Sequence, residues 1–180
     1  MKKLIGLSIL CVLLSGCGRN NILIESKITS TPNDVVKILE NEMAVLIICP
    51  TGTMEETYSI EFSKDKVLTT TLGTRKEIEI SAIRQYKKDD FYLTIEKKES
   101  VTLSDNEFCK IDKLIDKIGT ENNSGYKNFE DIWDDSWINV LLTSKGVYYF
   151  KDIDMDSSIY ELYDFFYEKS PFEINLHDWS

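Results

Sequence analysis

Four segments between residues 58 and 95 restrict the fold of this chain more than any other feature. Tyr58, Ile60 and Phe62 fall on one side of an extended backbone, and Val67 to Leu72 is β-branched and stops at Gly73. Ile78, Ile80 and Ala82 then alternate, as do Phe91, Leu93 and Ile95. A period of two puts each apolar set on one face of a strand. The segments start 9 to 13 residues apart, separated by polar stretches such as Ser63-Lys64-Asp65 and Lys87-Lys88-Asp89-Asp90. Connections this short join antiparallel neighbours, so an antiparallel meander is predicted. Just upstream, Met43 to Cys49 is a continuous apolar run closed by Pro50, with the length of a buried strand.

Helical periodicity flanks these strands. Ser30-Thr31-Pro32 supplies a cap and a tolerated proline, and Val35, Ile38 and Leu39 follow at i, i+3 and i+4, predicting a helix over 32–42. Ser104 and Glu107 form a capping-box pattern ahead of the stripe Phe108, Ile111, Leu114, Ile115 and Ile118, with Gly119 as the stop. Trp137 to Thr143 and Val147 to Ile153 read as a hairpin around Ser144-Lys145-Gly146. Ile159, Leu162, Tyr163 and Phe166 mark a further helix ending before Pro171, and Phe172, Ile174 and Leu176 alternate in a last short segment. The expectation is a single α+β domain over residues 31–180. Its sheet is largely antiparallel and meandering, with two or three helices packed on one face.

A hydrophobic content of 42% supports a core of that kind. Charge narrows the partners: 31 acidic residues against 21 basic give −10, and phosphate backbones need the opposite sign, so nucleic acid is not expected. His177 is the sole histidine, which starves hydrolytic and metal chemistry of its usual side chain.

The extreme N-terminus reads MKKLIGLSILCVLLSGCGRN. Lys2 and Lys3 precede an apolar stretch from Leu4 to Leu14, the length of a signal-peptide core and too short to span about 30 Å of hydrocarbon. Leu14-Ser15-Gly16-Cys17 resembles the lipobox of bacterial lipoproteins. The resemblance implies recognition of Leu14, Ser15 and Gly16 by the signal peptidase. It further implies a diacylglyceryl group on the Cys17 sulfur and cleavage before Cys17, so that residues 1–16 are the signal and 17–30 the lipidated cysteine and tether. Two acyl chains on one residue exceed the marginal hold of a single chain. The expected location is the cell membrane, facing outward, or the outer membrane in a Gram-negative cell. Loss of Lys2 and Lys3 leaves 19 basic against 31 acidic groups, −12 on the exported body, which biases it toward cationic protein partners.

Candidate chemistry is sparse. Asp152-x-Asp154-x-Asp156 opens like a calcium loop, but Ser157 stands where glycine is needed and Tyr163 where a bidentate glutamate is needed. It reads instead as a strand end running into a helix capped by Asp156 or Ser157, and no metal or cofactor is expected. Glu130, Asp131, Asp134 and Asp135 surround Trp133 and precede Trp137. Paired carboxylates beside aromatics suit sugar binding or acid–base work, yet Phe129, Ile132 and Trp133 also have helical spacing with the acids as a wet face. If any surface makes contacts, Trp133, Asp134, Asp135 and Trp137 are the first choice. His177-Asp178 has no nucleophile elbow to serve, so no catalytic residue is expected. Cys49 ends an apolar strand, while Cys109 falls off its helix's buried stripe, so two unlinked thiols are expected, with a disulfide as the alternative.

The leading expectation is therefore a monomeric, membrane-anchored lipoprotein whose body is a non-enzymatic binding module. Immunity lipoproteins that neutralise secreted bacterial toxins are similar in general character, being short, acidic, anchored outside and without catalytic motifs. They are the alternative reading, and a carboxylate-dependent cell-wall or glycan hydrolase is the third.

Overall fold

Six strands form one sheet in the order β4-β3-β2-β1-β5-β6, every neighbouring pair antiparallel. They are β1 (Glu42–Pro50), β2 (Thr57–Ser63), β3 (Val67–Arg75), β4 (Tyr92–Thr102), β5 (Trp137–Thr143) and β6 (Gly146–Phe150). Among the described residues three helical segments accompany them: the single turn α1 (Lys88–Phe91), α2 (Asp105–Thr120) and α3 (Ser158–Lys169). The structure, a computed structural model, describes residues 39, 41–50, 53–77, 86–123, 137–151 and 157–176. The architecture is the expected α+β domain with an antiparallel sheet.

Register follows from which side chains must leave water. Ala44, Leu46 and Ile48 stand opposite Phe62, Ile60 and Tyr58, and across β5 Leu46 meets Leu141. These residues line the first face of the sheet, together with Leu68 and Tyr148. Val45, Ile47 and Cys49 point the other way and join Leu142, Val140 and Ile138 on the second face. Residues Ala44 to Cys49 are all 0% exposed, which explains why β1 reads as an uninterrupted apolar run.

The two long helices cover the first face. Strands β4 and β5 run in the same direction, so the chain cannot join them by a hairpin, and α2 carries it past β3, β2 and β1. The capping box at its start is complete: Glu107 N–H donates to Ser104 Oγ at 3.4 Å, and Ser104 N–H donates to Glu107 Oε2 at 2.9 Å. Ile111, Leu114, Ile115 and Ile118 face the sheet. The helix continues one residue past Gly119, whose bare Cα lets the Lys145 stem lie close; a Cβ there would meet Lys145 Cδ at 2.8 Å. Helix α3 starts with Tyr160 N–H donating to Ser157 Oγ at 3.1 Å and buries Ile159, Leu162, Phe165 and Phe166. Ser157 is thus the cap, one of the two residues the sequence offers for that role.

Two expectations need adjustment. Phe91, Leu93 and Ile95 do not share a face: Phe91 closes α1 and is 1% exposed, whereas Leu93 and Ile95 are 61% and 53% exposed. Phe91 belongs to α1 rather than to β4, and β4 slips register against β3 between Thr74 and Arg75, where Tyr92 and Thr94 are paired and Leu93 is passed over, which breaks the period of two. A second slip follows between Gly73 and Leu72. Glu42 opens β1 rather than ending a helix; the rest of 32–42, except buried Leu39 and exposed Asn41, lies outside the described residues. So do Ile78, Ile80 and Ala82. Cys49 and Cys109 are both free, the first buried on the second face and the second exposed on α2. The sheet lies between them.

Candidate functional site

Of the residues singled out in sequence, Leu14, Ser15, Gly16 and Cys17 lie outside the described residues, as do Trp133, Asp134, Asp135, Asp152, Asp154, Asp156 and His177. Trp137 is described. It opens β5 opposite Pro50, is half-buried, and packs on the edge of the first-face core with its ring centroid 6.3 Å from that of Tyr58.

Trp137 stands at one end of a larger aromatic band. Phe150, paired with Asn139 two residues along β5, meets Tyr163 of α3 edge-on at 6.0 Å. Tyr163 in turn lies between Tyr160 at 6.5 Å and Tyr167 at 6.1 Å, the rings tilted to one another by 32° and 31°. The C-terminal segment ties the band down. Tyr167 Oη donates to Ile174 O at 2.7 Å, and Asn175 N–H donates to Tyr58 Oη at 3.3 Å. Burial raises the Tyr163 hydroxyl above the usual phenol range, and the neighbouring Tyr167, Tyr160 and Asp164 add to it. Burial likewise raises Tyr58. Both phenols therefore stay protonated at neutral pH, able to donate and accept.

Sequence reasoning placed Tyr163 in the buried stripe of α3 and passed over Tyr160 and Tyr167. A recognisable pattern was there: Tyr160-Glu161, Tyr163-Asp164 and Tyr167-Glu168 repeat a tyrosine–acid pair at i, i+3 and i+7. On a helix that spacing gathers all three pairs on adjoining stripes of one surface.

The second face carries a different polar group. Glu61 of β2 is 3% exposed; one carboxylate oxygen accepts from the Tyr86 hydroxyl and the other lies 2.5 Å from Lys88 Nζ. Lys88 also approaches Glu42 at 3.5 Å. Burial alone would lower the Lys88 pKa, but the hydrogen bond and charge of Glu61, followed by Glu42, raise it on balance, so Lys88 keeps its charge. The Ser59 hydroxyl lies beside both Tyr86 and Tyr92, and Tyr92 Oη is shared between Thr57 O at 3.2 Å and Thr71 O at 3.3 Å. Tyr86 and Lys88 both reach Glu61 of β2, and Tyr92 reaches β2 and β3, which makes the group a clamp holding 86–92 onto the sheet. Among the described residues no group of three or more His, Cys, Asp and Glu side chains could hold a metal ion.

No described helix is long and apolar enough to cross a membrane. Comparison with family models, curated proteins and solved structures finds no match to this chain.

Proposed function

We propose that this chain is a membrane-anchored extracytoplasmic lipoprotein whose body is a non-enzymatic interaction module for a cationic protein partner. The observation that carries the anchor is the order of elements at the N-terminus: Lys2-Lys3, an apolar stretch to Leu14, then Ser15-Gly16-Cys17. Only a thiol at that point is nucleophilic enough to take a diacylglyceryl group, and two chains together hold where one does not. The reading of the body rests on its acidity and on the aromatic band that runs from Trp137 across Tyr58 and Phe150 to α3. Tyrosine and tryptophan combine large contact area with a polar handle, and an acidic field speeds encounter with basic partners.

The anchor is tested by Cys17→Ala with metabolic labelling by a fatty-acid analogue. The substitution should abolish labelling and leave the precursor uncleaved; labelling equal to the parent chain removes the assignment. The partner is tested by crosslinking on intact cells, where a recovered protein should carry a basic surface. Capture only of acidic or uncharged partners argues against the reading.

A further inference from the structure

We propose that the outward face of α3 is the docking surface for an extended, Lys/Arg-rich segment of a protein partner; the inference rests on the interaction-module reading and locates its contact. Ile159, Leu162, Phe165 and Phe166 already supply the buried side of this helix. Tyr160 and Tyr163 are half-buried and Tyr167 is 38% exposed, so the three rings form a surface ladder. Beside the ladder stand Glu161, Asp164 and Glu168, all exposed.

The charges of this face are poorly neutralised from within. Glu161 is met by Lys117 at 3.4 Å, but Asp164 and Glu168 have no ion pair among the described residues. The single basic residue of the helix, Lys169, is turned to Glu107 of α2 at 2.8 Å. Helix α2, on the same side of the sheet, provides an internal contrast. Its wet face mixes Lys110, Lys113 and Lys117 with Asp105, Asp112 and Asp116, and it presents no tyrosine. An acidic, aromatic stripe is therefore particular to α3.

Ring faces and carboxylates attract the same ligand chemistry. A guanidinium or ammonium gains from the π-system and from an adjacent carboxylate together, and tyrosines already held by neighbouring rings lose little freedom when they bind. The repeat of the ladder selects the shape of the occupant. Its rings are 6.5 and 6.1 Å apart. In an extended segment, side chains on one side recur about every 6.7 Å, so basic residues at every second position would reach successive rings.

The test uses the full-length protein in detergent micelles and a fluorescent peptide of alternating arginine and serine, with an alternating glutamate–serine peptide beside it, read by anisotropy. The arginine peptide should bind and the glutamate peptide should not. The paired substitution Asp164→Asn with Glu168→Gln should weaken binding roughly fivefold or more, and Tyr160→Ala should weaken it similarly. The charge substitution should not shift the thermal midpoint, since Asp164 and Glu168 are exposed. Tyr160 is half-buried against Tyr163, so Tyr160→Ala is compared at a temperature where it is fully folded. Asp65→Asn with Asp112→Asn, an equal charge change elsewhere, should leave the affinity within a factor of two. Equal weakening by that control would overturn the α3 surface while leaving a cationic partner in place. Failure of the arginine peptide to bind the parent chain would overturn the cationic partner itself. A protein that sediments as a dimer, and as a monomer only in the α3 variants, would assign the face to a second copy and overturn the proposal.

Discussion

The hydroxyl of Tyr86 donates to the carboxylate of Glu61 on the face of the sheet turned away from both long helices. Tyr86 follows β3 and precedes α1, so this bond fastens the β3–β4 connection over the second-face core of Val45, Ile47 and Cys49. Removing the donor leaves a buried carboxylate with Lys88 as its remaining ionic partner. Hydrogen bonds to charged groups contribute about 1.5–3 kcal/mol, so Tyr86→Phe should lower stability by about that amount in urea unfolding. Lys88→Met should cost less, because the Lys88 side chain is 43% exposed and its pairing is screened by water. An unchanged urea midpoint for Tyr86→Phe would show that the clamp contributes nothing.

Gly73 makes a second, purely steric prediction. It lies where β4 slips register, and a Cβ built on it would stand 2.1 Å from the carbonyl oxygen of Thr94 and 3.1 Å from Ile95 Cα. Both atoms are backbone, so nothing can rotate away. Gly73→Ala must push β4 off β3, at a cost of about 1–3 kcal/mol or more. The loss should localise: amide exchange should rise along 92–96 and stay unchanged in β1 and β5.

Much of this architecture is written in local pattern. The period of two in Tyr58, Ile60 and Phe62 and the unbroken run to Cys49 follow from burial of one face or of both, and each residue carries its own share of that information. Ser104 and Glu107 announce α2 because a capping box satisfies orphan N–H groups within four residues. What stayed hidden depends on distant partners. Nothing near Leu93 or Ile95 reveals that β4 will slip twice against β3, since the slips exist only in the pairing with Gly73 and Arg75, some twenty residues earlier. The position of the β5–β6 hairpin beside β1, rather than beyond β4, is likewise decided by where α2 packs. The tyrosine ladder was visible in sequence, but hydropathy counts tyrosine among core formers, so its surface placement emerged only once Leu162 and Phe166 were seen to fill the core.

Acid stability has a named contributor. Glu107 accepts from Lys169 and from the Ser104 backbone and hydroxyl, in that order of influence, and its pKa falls from 4.5 to about 2. A carboxylate whose pKa is depressed in the folded state adds stability that is present above 4.5 and lost as pH falls through about 2. Stability of the parent chain should therefore decline between those limits more steeply than that of Glu107→Gln, measured by urea midpoints at stepped pH. Ser104→Ala should cost about 1 kcal/mol at neutral pH through the lost cap. If the parent and Glu107→Gln midpoints run parallel through this window, the carboxylate is not held as described.

The two described thiols should differ sharply in reactivity. Cys49 is 0% exposed on the second face, and burial, opposed only by the nearby Arg75 charge, pushes its pKa up to about 11. It is thus both inaccessible and protonated, and the thiolate is the reactive form. Cys109 is exposed on α2, over the first face. Iodoacetamide treatment of the native protein, read by peptide mapping, should modify Cys109 and spare Cys49, with both modified in denaturant. Because Cys49 lies beneath Tyr86 and Phe91, its labelling reports opening of the 86–91 clamp. Tyr86→Phe should then speed modification of Cys49 without changing that of Cys109. Equal rates for both thiols in the folded parent chain would mean that the second face is open. A linked Cys49–Cys109 peptide in the non-reduced digest would place the two cysteines on the same side of the sheet, and would contradict the register of β1 or the packing of α2.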